Sequence, residues 1–175
     1  MSRALVVFES MYGNTEAVAR AIADGLATRV PVDLVEVGVA AAVPDPDVGL
    51  VVVGGPTHAF GMSRPSTRRD AAQKTGRATV SRADGVREWL EALPSRPDLL
   101  AASFDTRIDR PRVPGSAARA IRRRLRRRGA TTVDTPHSFF VEGSEGPLVD
   151  GELDRARAWG AGLAAAIAVP AGGAS

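Results

Sequence analysis

Residues 10–15 read Ser10, Met11, Tyr12, Gly13, Asn14, Thr15, between an apolar run from Ala4 to Phe8 and a helical pattern that starts near Thr15. Hydroxyls from Ser10, Tyr12 and Thr15 and the amide of Asn14 crowd into this junction, and no lysine or arginine accompanies them. The chemistry that needs such a set is anion binding by neutral donors. Gly13 lets the backbone approach a ligand closely or take a positive φ. The helix beyond it aims unpaired N–H groups and the positive end of its dipole at the same spot. A phosphate group fits that arrangement without a countercharge. An ordinary capped strand-to-helix turn uses the same residue types, so this stretch alone leaves both readings open.

The elements that must position the junction follow from periodicity. Residues 3–8 form a short strand, apolar on both faces, as in a buried parallel sheet. A helix over 15–27 carries Val18, Ala21, Ile22 and Leu26 at helical spacing, with Asn14 placed to cap it. Residues 32–37 make a second strand, and 50–53 a third that ends in Gly54 and Gly55. From 56 to 82 the chain reads as a long loop rich in Gly, Ser, Thr and Arg, a length uncommon in compact domains unless it serves function. A helix over 83–93 shows Val86, Trp89, Leu90 and Leu93 on one face, and 99–104 is a fourth strand.

Ser116 caps a helix that runs to Arg128 and stops at Gly129, with a narrow seam of Ala117, Ala118, Ile121 and Leu125. Residues 131–134 and 138–141 read as one last strand interrupted by Pro136, and His137 beside it as structural. A final helix over 151–168 buries Leu153, Ala156, Leu163, Ala164 and Ile167. Strands alternating with helices predict an α/β fold, a doubly wound parallel sheet with helices on both faces. Ligands in such sheets bind outside the carboxyl ends of the strands. The loops at those ends are 9–15, 54–62 and 104–113.

The 175 residues suit one domain, 1–170, with a short tail over 171–175. An apolar fraction of 44% is ordinary for a globular chain. The absence of cysteine excludes disulfides, thiolate metal sites and a cysteine nucleophile. No apolar run is long enough for a membrane span, so a cytoplasmic location is the expectation. Lys74 is the only lysine and every other basic residue is arginine, which lifts the calculated pI to about 10.4 at a net charge of only +3.

Rival phosphate motifs are absent from the junction. A Walker-type loop needs a lysine, and the dinucleotide fingerprint needs three spaced glycines. A phosphorylated receiver domain would need an acidic residue at the end of the third strand, where Gly54 and Gly55 stand. "VVFESMYGNT" instead resembles the flavodoxin signature, a strand followed by S/T-x-x-G-N-T. "GGPTHAF" is similar to that family's second flavin loop, and "SFDTR" sits where its third belongs. The stretch from Val133 to Ala164 resembles the last strand and helix of short-chain flavodoxins.

The resemblance covers nearly the whole chain. It implies a five-stranded sheet in the order 2-1-3-4-5 and one non-covalent FMN. Carried over to this chain, it implies that Ser10, Met11, Tyr12, Gly13, Asn14 and Thr15 wrap the FMN phosphate. Pro56, Thr57, His58, Phe60 and Gly61 would flank the ribityl chain and one side of the ring. Phe104, Asp105, Thr106 and Arg107 would meet its pyrimidine edge. No side chain is implied as a catalytic nucleophile, and no metal.

Departures from the family pattern bear on function. Tyr12 stands where flavodoxins commonly have threonine, and quinone reductases of the superfamily share the S-M-Y-G run. The ring-stacking tryptophan and tyrosine are missing, leaving His58 and Phe60 as substitutes. Electron-shuttling flavodoxins are acidic, and this chain is basic. The expected function is electron transfer through FMN. The rivals are an NAD(P)H-dependent quinone or nitro reductase and a non-redox binding module without flavin. The expected partners are a redox protein or a small electron acceptor, an acidic one included, with no nucleic acid and no membrane, and the chain is expected to act as a monomer, with an oligomer as the alternative. The run "ARAIRRRLRRRGA" places Arg122, Arg123, Arg126 and Arg127 on a solvated helix face; the alternative is a basic patch for nucleic acid or an acidic protein, and the lack of aromatic residues around it weakens single-strand binding.

Overall fold

The computed structural model describes residues 2–58, 61–75, 79–81, 84–109 and 114–168. The strands are β1 (Arg3–Phe8), β2 (Val32–Glu36), β3 (Val48–Pro56), β4 (Leu100–Ile108), β5 (Thr131–Thr132) and β6 (His137–Val141). The helices are α1 (Asn14–Leu26), α2 (Pro65–Thr75), α3 (Val86–Ala92), α4 (Ala117–Arg127) and α5 (Glu152–Ala168). All strand pairs are parallel, in the order β2-β1-β3-β4-β5. β6 also pairs with β4, so β5 and β6 are two halves of one edge position, split where Pro136 stands. The sheet is the expected three-layer, doubly wound flavodoxin-like arrangement.

Alternation along the strands divides the core in two. Val6, Phe8, Val52, Ala102 and Phe104 face α1 and α5, together with Ile22, Phe139, Trp159 and Leu163. Val7, Val51, Val53 and Ala101 face α3 and α4, against Trp89, Leu90, Ile121 and Leu125. Burying each such large side chain stabilises the fold by about 1.5–3 kcal/mol. Helices α1 and α5 touch backbone to backbone: a Cβ on Gly25 would lie 2.1 Å from the Arg157 carbonyl oxygen, and one on Gly160 2.2 Å from that of Ile22. No helix among the described residues is long and apolar enough to cross a membrane.

Four expectations are corrected. Part of the 56–82 segment is helix, α2, and not loop. β4 continues through Asp105–Ile108, because those residues pair with Ser138–Val141 of β6. Gly13, at φ 93°, is the N-cap of α1, and Asn14 is its first helical residue. Leu153 is exposed at 41%, and Trp159 takes the buried position on α5. His137 is structural as expected, stacked on Trp159 with ring centroids 4.5 Å apart.

Candidate functional site

A cleft of about 330 Å³ opens at the carboxyl ends of β1, β3 and β4. That volume lies in the range of small-molecule sites. Its lining brings together Ser10, Met11, Tyr12, Asn14 and Thr15 from the first junction, and Pro56, Thr57 and His58 from the end of β3. Thr106, Arg107 and Ile108 come from the extended β4, and Thr67, Asp70 and Lys74 from α2.

The first junction is built to present amides. Residues 79–81 run alongside it, with Ser81 N–H donating to the Ser10 carbonyl at 2.7 Å and Val80 N–H to the Met11 carbonyl at 3.1 Å. Peptide groups are planar and trans, so each carbonyl turned toward 79–81 turns the next N–H the opposite way. Those N–H groups belong to Met11 and Tyr12. Ser10 Oγ accepts from Gly13 N–H at 3.1 Å, which folds the loop onto the start of α1. The amides of Met11, Tyr12, Asn14, Thr15 and Glu16 donate to nothing among the described residues. Unpaired N–H groups at a helix N-terminus are donors that an anion can use. Space around Gly13 is open, with nothing within 4 Å of a would-be Cβ.

Other side chains lock this junction. Thr15 is 2% exposed, and its hydroxyl shares a 2.7 Å hydrogen bond with that of Thr106, joining α1 to β4. Asn14 Nδ2 donates to the Glu145 carbonyl at 3.0 Å, so its amide braces the 143–146 turn. Burial and Glu145 push the Tyr12 hydroxyl above its ordinary range, so it stays protonated, a neutral donor. Burial holds His58 below its ordinary range, and the cations Arg68 and Lys74 add to that. His58 is therefore the neutral imidazole near pH 7. Its N–H and C=O exchange hydrogen bonds with those of Gly61 at 2.7 and 2.9 Å.

Four of the expected site residues, Gly13, Gly61, Phe104 and Asp105, are not in the lining of the cleft. Phe104 is 0% exposed in the α1/α5 core, edge-on to Phe139 and Trp159, with its ring occupying the space a Cβ on Gly54 would need. Asp105, one residue on, points to the opposite face. Its Oδ2 accepts from Thr57 Oγ1 at 2.9 Å, Ser116 Oγ at 2.6 Å and Ala118 N–H at 3.0 Å. It anchors the start of α4. Gly61 does not line the cleft. Phe60 lies outside the described residues.

The wall supplied by α2 was not foreseen. Arg68 holds it in place, donating to Ser63 Oγ at 2.9 Å and to Glu88 Oε1 of α3 at 2.7 Å. Glu9, 1% exposed at the end of β1, accepts from Val86 N–H at 2.8 Å and completes this cluster. Burial pushes its carboxyl above the ordinary range; the Ser63 hydroxyl, the Val86 amide and Arg68 oppose that shift. Pro65 at the first helical position and Lys74 in the last turn were the available sequence signals for α2.

Residues 6–92 match the family model described as Flavodoxin. No curated protein matches the chain. Among solved structures, oxidised Flavodoxin 1 from Bacillus cereus is 18% identical with a TM-score of 0.68, over 97% of this chain and 100% of that one. A flavodoxin from the domain Archaea is 20% identical with a TM-score of 0.63, over 94% and 98%. The WrbA-like flavodoxin protein of Agrobacterium tumefaciens is 19% identical with a TM-score of 0.57, over 95% and 97%. At these identities the structures speak for the fold. With the sequence match to the first half of the chain, and with the strand order and the junction at Ser10–Thr15, they place the chain in the flavodoxin-like family.

Proposed function

We propose that the protein binds FMN in this cleft and carries electrons with it. The flavodoxin family binds flavin, typically FMN. The observation that carries the reading is the set of amides of Met11, Tyr12, Asn14, Thr15 and Glu16, unpartnered among the described residues, which fits a phosphate ester by charge and by hydrogen-bond polarity. The Ser10 and Tyr12 hydroxyls add neutral donors. Thr57 and His58 would lie along the ribityl chain and ring, with Thr106 and Arg107 on the far side and α2 excluding water. When bound, FMN supplies the electron-transfer chemistry, and the protein supplies orientation and electrostatics. His58, held neutral, offers a hydrogen bond without adding charge.

A second reading, an NAD(P)H-dependent quinone or nitro reductase, is favoured by α2. Asp70 and Lys74 give the cleft a charged wall beyond the junction residues, suited to a second substrate. Steady-state oxidation of NADPH by FMN-loaded protein, with and without a quinone, separates the readings. Turnover no faster than with free FMN supports the carrier, and saturable turnover supports the reductase. Protein that stays colourless with added FMN contradicts both and leaves a non-redox binding module.

A further inference from the structure

A second recess, of about 450 Å³, lies between α3, α4 and residues 61–64, and it is lined by arginines. Arg119, Arg123 and Arg127 form an i, i+4, i+8 row on α4, where like charges one turn apart repel. Arg124 joins them, Arg87 enters from α3, and Arg64 closes the recess from the chain that leads into α2. Arg124 has a carboxylate partner, Glu91 at 3.1 Å. Among the described residues Arg87 donates only to neutral carbonyls, those of Ser63 at 3.3 Å and Met62 at 3.2 Å. The side chains of Arg64, Arg119, Arg123 and Arg127 have no partner among the described residues. The crowding is electrostatically felt: burial lowers the affinity of Arg87 for its proton, and Arg124 and Arg64 lower it further, against the opposing pull of Glu88 and Glu91.

α4 also starts against its own dipole. Its first turn contains no acidic residue and does contain Arg119. The first-turn amides are already spent: Ala118 N–H on Asp105, Ala117 N–H on Thr57 Oγ1 and Arg119 N–H on Ser116 Oγ. The recess therefore attracts anions through guanidinium forks alone. Those forks match phosphate oxygens two at a time. Convergence of several cations from three chain segments favours a ligand with multiple negative charges in a small volume. No aromatic side chain among the lining residues offers a stacking face for a base. A concave site, with Arg87 part-buried in its wall, suits a compact anion better than the flat face of an acidic protein.

We propose that this recess binds a compact phosphate-rich anion, a diphosphate or polyphosphate group, either free or as part of a larger molecule. The site is separate from the cofactor cleft, and the proposal does not rest on the FMN reading.

Calorimetric titration of FMN-saturated protein with inorganic tripolyphosphate tests it. One saturable site is expected, weakened roughly tenfold or more in the Arg119→Ala/Arg123→Ala variant, as loss of charge-assisted hydrogen bonds does. Arg126→Ala, on the same helix but outside the recess, should leave affinity within about twofold. All the substituted arginines are exposed, and an unchanged melting curve confirms folding. ADP and inorganic pyrophosphate distinguish the source. Equal affinities indicate the phosphates alone, and tighter ADP binding indicates a nucleotide carrying them. Should FMN fail to bind, tripolyphosphate at the 10–16 junction would survive the arginine substitutions, so the two readings fail separately. No saturable binding, equal weakening by Arg126→Ala, or binding of poly-glutamate but not of tripolyphosphate overturns the proposal.

Discussion

Replacing Asp105 tests how the sheet and α4 are joined beneath the cleft. Its Oδ2 receives the Thr57 and Ser116 hydroxyls and the Ala118 amide, all within 3.0 Å, at 0% exposure. Each hydroxyl also accepts a first-turn amide of α4, from Ala117 and Arg119. Every one of these donors thus ends, directly or through one hydroxyl, on a single carboxylate oxygen. Asp105→Ala removes it and strands buried donors. Hydrogen bonds to charged groups contribute about 1.5–3 kcal/mol each, but losses within one network are not additive. The expected cost is about 3–5 kcal/mol, a large part of a typical stability of about 5–15 kcal/mol. Asp105→Asn keeps a carbonyl acceptor without the charge and should cost roughly half as much. Urea unfolding at neutral pH reads both. For a chain of this length the alanine variant should also melt roughly 6–20 °C lower. A loss under about 1 kcal/mol for Asp105→Ala would refute the claim that the carboxylate organises the start of α4.

Glu9→Gln should stabilise the protein near pH 7. Burial raises the Glu9 carboxyl above its unfolded value, so Glu9 favours folding below the ordinary carboxylate range and loses that contribution as pH rises through the folded value. The gain over wild type, on the order of 1 kcal/mol, should shrink toward pH 4; denaturant titrations at both pH values read it, and a neutral-pH loss contradicts it. Arg107→Ala should lower the midpoint potential of bound FMN, because removing a cation from the cleft wall disfavours added negative charge by about 1 kcal/mol. A potentiometric titration in which the variant's potential rises or stays fixed counts against this role.

The sheet was legible because the runs Ala4–Phe8 of β1 and Leu50–Val53 of β3 are continuously apolar and end abruptly at Glu9 and Gly54. The junction was legible because small donors at a strand end have few other uses. α2 was not: only Ala71 among its described side chains is buried, so no apolar stripe marks it, and its helix signals lie in Pro65 and Lys74. The end of β4 was hidden by polarity. Asp105, Thr106 and Arg107 read as loop, yet Asp105 Oδ2 bonds Thr57 and the start of α4, with its Oδ1 unpartnered among the described residues, and Thr106 bonds Thr15. Phe104 and Asp105 point to opposite faces of the sheet and neither lines the cleft, whereas Thr106 and Arg107, nearer the carboxyl end of β4, both do. Asn14 looked like a cap, but Gly13 reaches the left-handed φ that the tight entry into α1 requires.

The central claim is that the amides of Met11, Tyr12, Asn14, Thr15 and Glu16 bind the phosphate of FMN. Calorimetry comparing FMN with riboflavin, which lacks only that phosphate, tests it most directly. Two or more charge-assisted hydrogen bonds in a neutral cradle are worth about 3 kcal/mol, so FMN should bind roughly a hundredfold more tightly. Equal affinity for the two flavins would contradict the account.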